Sequence, residues 1–104
     1  MPKYMSRVSF TMEGIKGLKK ETAAHRRDAV AKLVESAGGK LEAYYFAFGQ
    51  DDGIAIYDLP DNVTAASLSV AANAVGHVHL SITPLVTVEE MDQAIAKSAK
   101  YRVP

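Results

Sequence analysis

The chain has 104 residues, 12 basic and 12 acidic side chains, and no cysteine. This length suits one domain with one core, and we expect a single domain over residues 1–104. The balanced charge argues against a nucleic-acid or anionic-membrane partner. The lack of cysteine excludes disulfides and cysteine-based catalytic or metal sites. No apolar run approaches the ~20 residues of a membrane span, and no signal peptide is apparent, so we expect a soluble cytoplasmic protein.

The first predicted strand covers residues 3–11, in which successive side chains point to opposite faces. Tyr4, Val8 and Phe10 lie on one face, and Arg7 lies on the other. An arginine in the middle of a strand can extend along the surface to water. Alternatively it points into a cavity and binds a carboxylate or another anion.

Residues 13–37 have apolar side chains at helical spacing and predict a long helical region. Gly14 and Gly17 weaken its first turn, which allows the entry to form a separate short turn. Gly38 and Gly39 predict the stop. A basic stretch interrupted by Glu21, Asp28 and Glu35 predicts a solvated face; the alternative, a phosphate-binding role, lacks an accompanying glycine-rich loop. The basic residues are Lys16, Lys19, Lys20, Arg26, Arg27 and Lys32.

Residues 40–48 and 53–59 predict the two strands of a β-hairpin, because both runs are apolar and the residues between them favour a tight turn. Tyr44 and Phe46 point to one face and Tyr45 to the other. A hairpin that is apolar on both faces must be covered on both faces. We expect the chain's own helices to cover one face and a second subunit to cover the other.

Residues 63–75 predict an alanine-rich helix with Asp61 or Asn62 as its N-cap. Gly76 predicts the stop of this helix. Residues 77–86 predict the last long strand, and Pro84 within it predicts a sheet edge or a bend.

A final short helix is predicted to run to about Ser98. Thr87-Val88-Glu89-Glu90 is typical of a capping box, which opens a helix. Met91, Ala94 and Ile95 are predicted to be its buried stripe. We expect the tail, residues 101–104, to be extended and to dock on a partner subunit.

The predicted element order is β-α-β-β-α-β followed by a short helix. This order is typical of a ferredoxin-like α+β fold, in which two helices cover one face of a four-stranded antiparallel sheet. The second face is left open. Pairing of two such faces predicts a homo-oligomer of the dimeric α+β barrel type.

The hairpin also carries a family resemblance. Phe48-Gly49-Gln50-Asp51-Asp52, followed by an Ile/Ala strand that ends in Leu59-Pro60-Asp61-Asn62, resembles the signature of the GYD-domain family, a group of small bacterial proteins of uncharacterised function. Gly49 and Asp52 occupy the motif's Gly and Asp positions, whereas Asp51 occupies its Tyr position. The other similar segments are Pro2-Lys3-Tyr4, Glu13-Gly14-Ile15-Lys16-Gly17-Leu18, Arg26-Arg27, Leu33-Val34-Glu35, Gly38-Gly39-Lys40-Leu41-Glu42, Thr83-Pro84-Leu85 and Tyr101-Arg102.

Candidate chemistry lies where the first and last strands are expected to be neighbours. Pairing their polar faces brings Arg7 near His77 and His79, whose Cα atoms lie roughly 7 Å apart on one strand. This set offers an imidazole base and an anchor for a carboxylate. His77 and His79 offer two ligands for a metal site, but no third ligand has a diagnostic spacing. The alternative is that these are the ordinary polar positions of a half-exposed strand.

Two functions are compatible with this pattern. In the first, an oligomer binds a small organic acid or aromatic ligand in a pocket on the open sheet face, and any catalysis is cofactor-independent proton transfer or oxygenation. In the second, the chain is a structural or regulatory module whose open face is used only for association. The sequence carries no P-loop, dinucleotide fingerprint or Ser-His-Asp pattern, so we expect neither cofactor nor metal. The predicted ligand site consists of Arg7, Tyr44, Phe46, His77 and His79.

Overall fold

The fold is an α+β arrangement, described by a computed structural model over residues 1–101. The strands form one antiparallel sheet in the order β2-β3-β1-β4. This is the ferredoxin-like order, and the predicted fold class and element order are confirmed. In chain order the elements are β1 (Lys3–Phe10), α1 (Met12–Lys20), α2 (Ala23–Ser36), β2 (Lys40–Phe46), β3 (Gly53–Asp58), α3 (Asn62–Val75), β4 (Val78–Leu85) and α4 (Val88–Ser98).

The side chains of strand β1 show that the two faces of the sheet differ. Its even-numbered residues Tyr4 and Ser6 are buried against the helices, whereas Arg7 is exposed on the opposite side. We call these the helix-covered face and the open face. Because β1 pairs with both β3 and β4, the same alternation passes to its neighbours. The core cluster on the helix-covered face is Tyr4, Val34, Ala55, Tyr57, Leu59 and Ala65.

The predicted helical region over residues 13–37 consists of two helices. α1 ends at Lys20, and Glu21 has an extended backbone (φ −115°, ψ 175°). α2 then starts after Thr22, whose hydroxyl oxygen accepts a hydrogen bond from the His25 N–H at 3.0 Å. The threonine, which fits the apolar periodicity when only spacing is considered, acts instead as an N-cap.

The predicted helix stops are confirmed. Gly38 has a φ of 86° and donates to the carbonyl of Glu35, and Gly39 donates to that of Val34, both at 3.0 Å. This pair of bonds is the Schellman motif. At α3, Asp61 accepts from the Thr64 N–H at 2.8 Å, and Gly76 ends the helix with a φ of 86°.

The hairpin loop is longer than the sequence predicts. β2 ends at Phe46, and Phe48 lies beyond the strand with its side chain in solvent. Asp52 ties this loop to β1. Its N–H donates to the Val8 carbonyl at 2.7 Å, and its Oδ2 accepts from the Phe10 N–H at 2.8 Å.

Helix α4 has the predicted capping box but not the predicted buried stripe. Thr87 and Glu90 exchange the two capping bonds, at 2.9 and 3.0 Å. Met91 and Ile95 are nevertheless 48% and 59% exposed, and no α4 residue is buried. The prediction of a buried stripe is therefore wrong, because the helix extends away from the sheet. The radius of gyration is 16.3 Å, against about 13 Å for a compact domain of this length.

Pro84 lies on an edge strand, as the sequence predicts. β4 pairs with β1 alone among the described strands and forms an edge, where a residue without an N–H is tolerated. Across residues 1–101, no helix combines the length and hydropathy that a membrane crossing requires.

Two glycines of α1 differ in their surroundings and allow a matched test. A Cβ at Gly14 would overlap the carbonyl oxygen of His77, which already accepts from the Thr11 N–H at 3.1 Å. A Cβ at Gly17 would meet open space. We expect Gly14→Ala to lower the free energy of unfolding by about 1–3 kcal/mol through overpacking. Gly17→Ala should raise it by up to about 1 kcal/mol through helix propensity.

Urea unfolding of the two variants and the parent checks this prediction. Equal effects of the two substitutions would contradict the close approach of α1 to the start of β4.

Candidate functional site

A cavity of about 140 Å³ lies between the helix-covered face and helices α2 and α3. Apolar side chains form most of its walls, including Val8, Val30, Leu68 and Leu80. Such cavities, lined by apolar groups with a few polar ones, are the usual form of small-molecule sites. We name it the Arg26 cavity after the one charged residue that lines it.

Arg26 is held at the cavity by two neighbours. Its guanidinium carbon lies 5.5 Å from the centroid of the Phe10 ring, which is a cation–π distance. Its Nε lies 3.1 Å from Oε1 of Glu21. The side chain is only 25% exposed, so the charge is partly removed from water.

The Nε of Arg26 is nevertheless unsatisfied. It is buried, and within residues 1–101 it has no hydrogen-bond partner, because the nearby Glu21 oxygen is at ion-pair distance without hydrogen-bond alignment. Buried polar groups are normally hydrogen-bonded, and a donor left without an acceptor is costly. The Nε thus faces Glu21, and any contact of Arg26 with a molecule in the cavity falls to the other N–H groups of its guanidinium.

Two tyrosines share the Arg26 cavity. Burial raises the pKa of Tyr44, while the charge of Arg26 opposes this shift. Burial also raises the pKa of Tyr57, while its hydrogen bond with Ser6 opposes the shift. Both phenols thus stay neutral beyond the pH at which a solvated tyrosine ionises, and they act as hydrogen-bonding groups near neutral pH.

The hydroxyls of Ser6 and Tyr57 form a buried pair in the cavity. They are hydrogen-bonded to each other, and the two residues are 3% and 4% exposed. Ser6 lies on β1 and Tyr57 on β3, one diagonal step apart in the register. The pair is the most enclosed polar group of the cavity.

A second concavity, of about 240 Å³, lies between β1, α3 and β4. It contains the Tyr4 hydroxyl, which donates to Oδ1 of Asn62 at 2.6 Å. None of its lining residues is charged. It offers no anchor for an ionic ligand, and the Arg26 cavity is the stronger candidate site.

On the open face, the structure brings Arg7 and His79 together. Arg7 lies opposite Ser81, and His79 lies opposite Ser9, so the two are diagonal neighbours on adjacent strands. Such diagonal neighbours are roughly 7–8 Å apart, with their Cβ atoms somewhat closer. Both side chains are exposed.

The other three residues of the predicted site lie elsewhere. His77 precedes β4, and its carbonyl accepts from Thr11. Tyr44 lines the Arg26 cavity, on the side of the sheet opposite to Arg7. The Phe46 ring packs edge-on against Tyr44, with ring centroids 5.1 Å apart. The five residues therefore do not form one pocket in a single chain.

The motif residues of the hairpin loop have different surroundings. Asp52 accepts the Phe10 N–H and thereby places the loop beside the strand whose Phe10 ring contacts Arg26. Gly49 and Asp51 lie in the loop, and a Cβ at Gly49 would meet open space. Within residues 1–101, no group of three or more histidine or acidic side chains is placed to hold a metal ion.

The spacing of residues in α2 indicates from the sequence that Arg26 lies on the buried side of the helix, although the charged residues around it are typical of a solvated face. Arg26, Val30 and Val34 are spaced by four residues, so they lie on one side of α2. Val34 is buried and Val30 packs against the core. An arginine in line with a buried stripe is unlike the rest of a solvated basic face, and this position separates it from Arg27, which is exposed.

Comparison with known families gives one match. The profile of the GYD domain matches residues 4–95, which extend from β1 into α4. Comparisons with curated proteins and with solved structures found no significant match.

The buried tyrosines predict how stability depends on pH. Tyr44 and Tyr57 have raised pKa values in the folded chain, whereas in the unfolded chain they ionise near pH ~10. Their contribution is complete below the unfolded pKa and is lost as pH rises through the folded pKa. We therefore expect the free energy of unfolding to fall as the pH is raised above about 10.

Urea unfolding at pH 8 and above pH 10 checks this expectation. Tyr57→Phe should reduce the loss, and Tyr101→Phe is the control because its ring is 81% exposed. An unchanged loss in Tyr57→Phe would contradict the role of Tyr57.

Proposed function

The chain belongs to the GYD domain family, and we propose that this member binds a small organic acid with an aromatic or other apolar body in the Arg26 cavity. One observation carries the proposal: a partly buried guanidinium is the single charged group at an otherwise largely apolar cavity. The proposal keeps the ligand class that the sequence suggests. It moves the anchor from Arg7 on the open face to Arg26 on the helix-covered face.

The size of the cavity supports a ligand of about one ring. The Arg26 cavity has a volume of about 140 Å³, and an apolar protein cavity of about 150 Å³ accommodates one benzene molecule. Its valine and leucine walls provide contacts for such a ring. A nucleotide or a multi-ring cofactor would exceed this volume.

The charge of Arg26 supports a carboxylate as the polar end of the ligand. A guanidinium has five N–H donors, so the nearby Glu21 does not exhaust them. Planar carboxylates match the guanidinium geometry and accept two hydrogen bonds side by side. The Phe10 ring lies 5.5 Å from the guanidinium carbon and limits the movement of the guanidinium.

Adjacent arginines on α2 give a matched test of the anchor. We expect the purified protein to bind benzoate, and Arg26→Gln to weaken this binding about 10- to 100-fold, the range for loss of charged hydrogen bonds. Arg27→Gln should leave binding within about twofold, because Arg27 is exposed and pairs with Asp28 at 3.2 Å. Isothermal titration calorimetry measures all three affinities.

Circular dichroism of each variant controls for folding. Equal losses in the two variants would assign the effect to overall charge, and no benzoate binding by the parent would contradict the ligand class.

A second candidate function is self-association through the open face. The centre of this face has the half-buried apolar side chains Met5, Ile54 and Ile56, and Tyr45 lies beside them. Apolar surface of this kind is typically covered in an interface. We propose a second copy of this chain as the partner, as in a dimeric α+β barrel.

The charges at the ends of the open face favour a second copy. Lys3 bonds to Glu42 at 2.9 Å and to Asp58 at 3.0 Å, so that end carries one positive and two negative groups. Arg7 and His79 lie towards the other end. A twofold axis across the strands places each end opposite the other end of the partner copy. Arg7 of one copy then faces the acidic end of the other.

The open face supplies more than half of the area that a standard interface buries on each partner. Strands of eight residues and a width of four strands give about 27 by 19 Å, roughly 500 Å² in projection. A standard interface buries ~800 Å² per partner. The relief of the side chains adds to this projected area. Such a dimer encloses Arg7 and His79, the part of the sequence-predicted site that shares one face.

A charge placed at the centre of the face tests the dimer. We expect the parent to be dimeric at micromolar concentration and Ile56→Lys to shift it to monomer, because the lysine would be buried without a partner. Val70→Lys is the control, since Val70 is 71% exposed on α3, which packs on the other side of the sheet. Sedimentation velocity over a range of concentrations separates the species. A monomeric parent would contradict the proposed dimer.

A further inference from the structure

The Arg26 cavity has a second polar end. Its Ser6–Tyr57 hydroxyl pair lies on the same face of the sheet as Phe10, whose ring contacts the guanidinium of Arg26. Ser6 and Phe10 are four residues apart on β1, which corresponds to about 13 Å between their Cα atoms. Val8 lies between them on the same face. The cavity therefore has a charged end and a hydroxyl end, separated by an apolar wall.

The hydroxyl pair has unused hydrogen-bonding capacity. Two hydroxyls carry two protons, and one proton is used in the bond between them. In the part of the chain that the structure describes, this mutual bond is the single side-chain hydrogen bond of either group. One O–H and several lone pairs thus remain in a buried, largely apolar space, where an unmade hydrogen bond is costly. A ligand oxygen at this position satisfies them.

We propose that Ser6 and Tyr57 select organic acids that carry a hydroxyl or carbonyl oxygen at the end remote from the carboxylate. This inference rests on the proposed function, because the carboxylate must first be held by Arg26. The smallest aromatic member of the class is 4-hydroxybenzoate, a single ring with polar groups at opposite ends, in agreement with the cavity of about 140 Å³. In this assignment Ser6 and Tyr57 determine specificity, and Arg26 determines that an acid binds.

Selection of this kind has a clear physical origin. A site that hydrogen-bonds a ligand hydroxyl discriminates against an analogue that lacks it, because the buried groups of the site are then left unpaired. An apolar wall by itself discriminates weakly between groups of equal size. A pair of ligands with equal shape and different polarity therefore distinguishes the two cases.

The experiment compares 4-hydroxybenzoate with 4-methylbenzoate by isothermal titration calorimetry. The methyl group occupies the same ring position as the hydroxyl and is moderately larger, but it neither donates nor accepts a hydrogen bond. We expect the parent to bind 4-hydroxybenzoate about tenfold more tightly, the effect of one hydrogen bond. In the double variant Ser6→Ala/Tyr57→Phe this ratio should fall to about one or invert, because both hydroxyls are removed.

The double variant is preferred to a single one, because removing one hydroxyl leaves the other buried and unpaired. Tyr57→Phe alone is the second variant should the double variant fail to fold, and circular dichroism reports folding for both. Arg26→Gln should weaken both ligands by similar factors and leave the ratio unchanged.

The outcomes separate this inference from the proposed function. Equal binding of the two acids by the parent, or a tenfold ratio that persists without the hydroxyls, overturns the inference and leaves the organic-acid site intact. Failure of both acids and of benzoate to bind overturns the proposed function, and this inference with it. A ratio that is lost with the hydroxyls and kept in Arg26→Gln supports the division of roles.

Discussion

The two-residue period of strand β1 is the constraint on which the rest of the structure depends. β1 lies inside the sheet and pairs on both edges, so its side-chain alternation sets the faces of β3 and β4 as well. Its even positions, from Tyr4 to Phe10, face the helices. Arg7 and its other odd positions face outwards. The cavity and the open face are the two sides of this one strand.

The Arg26 cavity depends on contacts that hold its end in place. The Asp52 carboxylate accepts the Phe10 N–H beyond the last β1–β3 pair, which is Val8 with Gly53. Gly14 lets α1 approach the His77 carbonyl closely. These contacts position the Phe10 ring under the guanidinium of Arg26, which extends from α2. The motif residue Asp52 thus acts on the candidate site through the backbone.

The two proposed functions use separate surfaces and are compatible. A ligand in the Arg26 cavity contacts the helix-covered face, whereas a second copy covers the open face. The same sheet connects them, because neighbouring residues of β1 point to the two sides: Ser6 into the cavity and Arg7 towards the open face. Binding on one side and association on the other can therefore be measured independently with Arg26→Gln and Ile56→Lys.

The sequence alone determined most of the elements and their order, since caps, turn glycines and periodicity act within a few residues. The capping box of Thr87 and Glu90, the αL stop at Gly76 and the edge position of Pro84 are all of this kind. The GYD family was also recognisable from the motif and its neighbouring segments.

The tertiary structure decided which residues meet. Tyr44 faces the cavity while Arg7 faces outwards, because each follows the alternation of its own strand once the register is set. Arg26 belongs to the site through its contact with Phe10, a residue 16 positions earlier in the chain. Met91 and Ile95 have the spacing of a helical apolar stripe, but both remain exposed because the chain's own sheet does not cover them. Local pattern predicts that a side chain seeks a partner, and only packing between distant elements decides what that partner is.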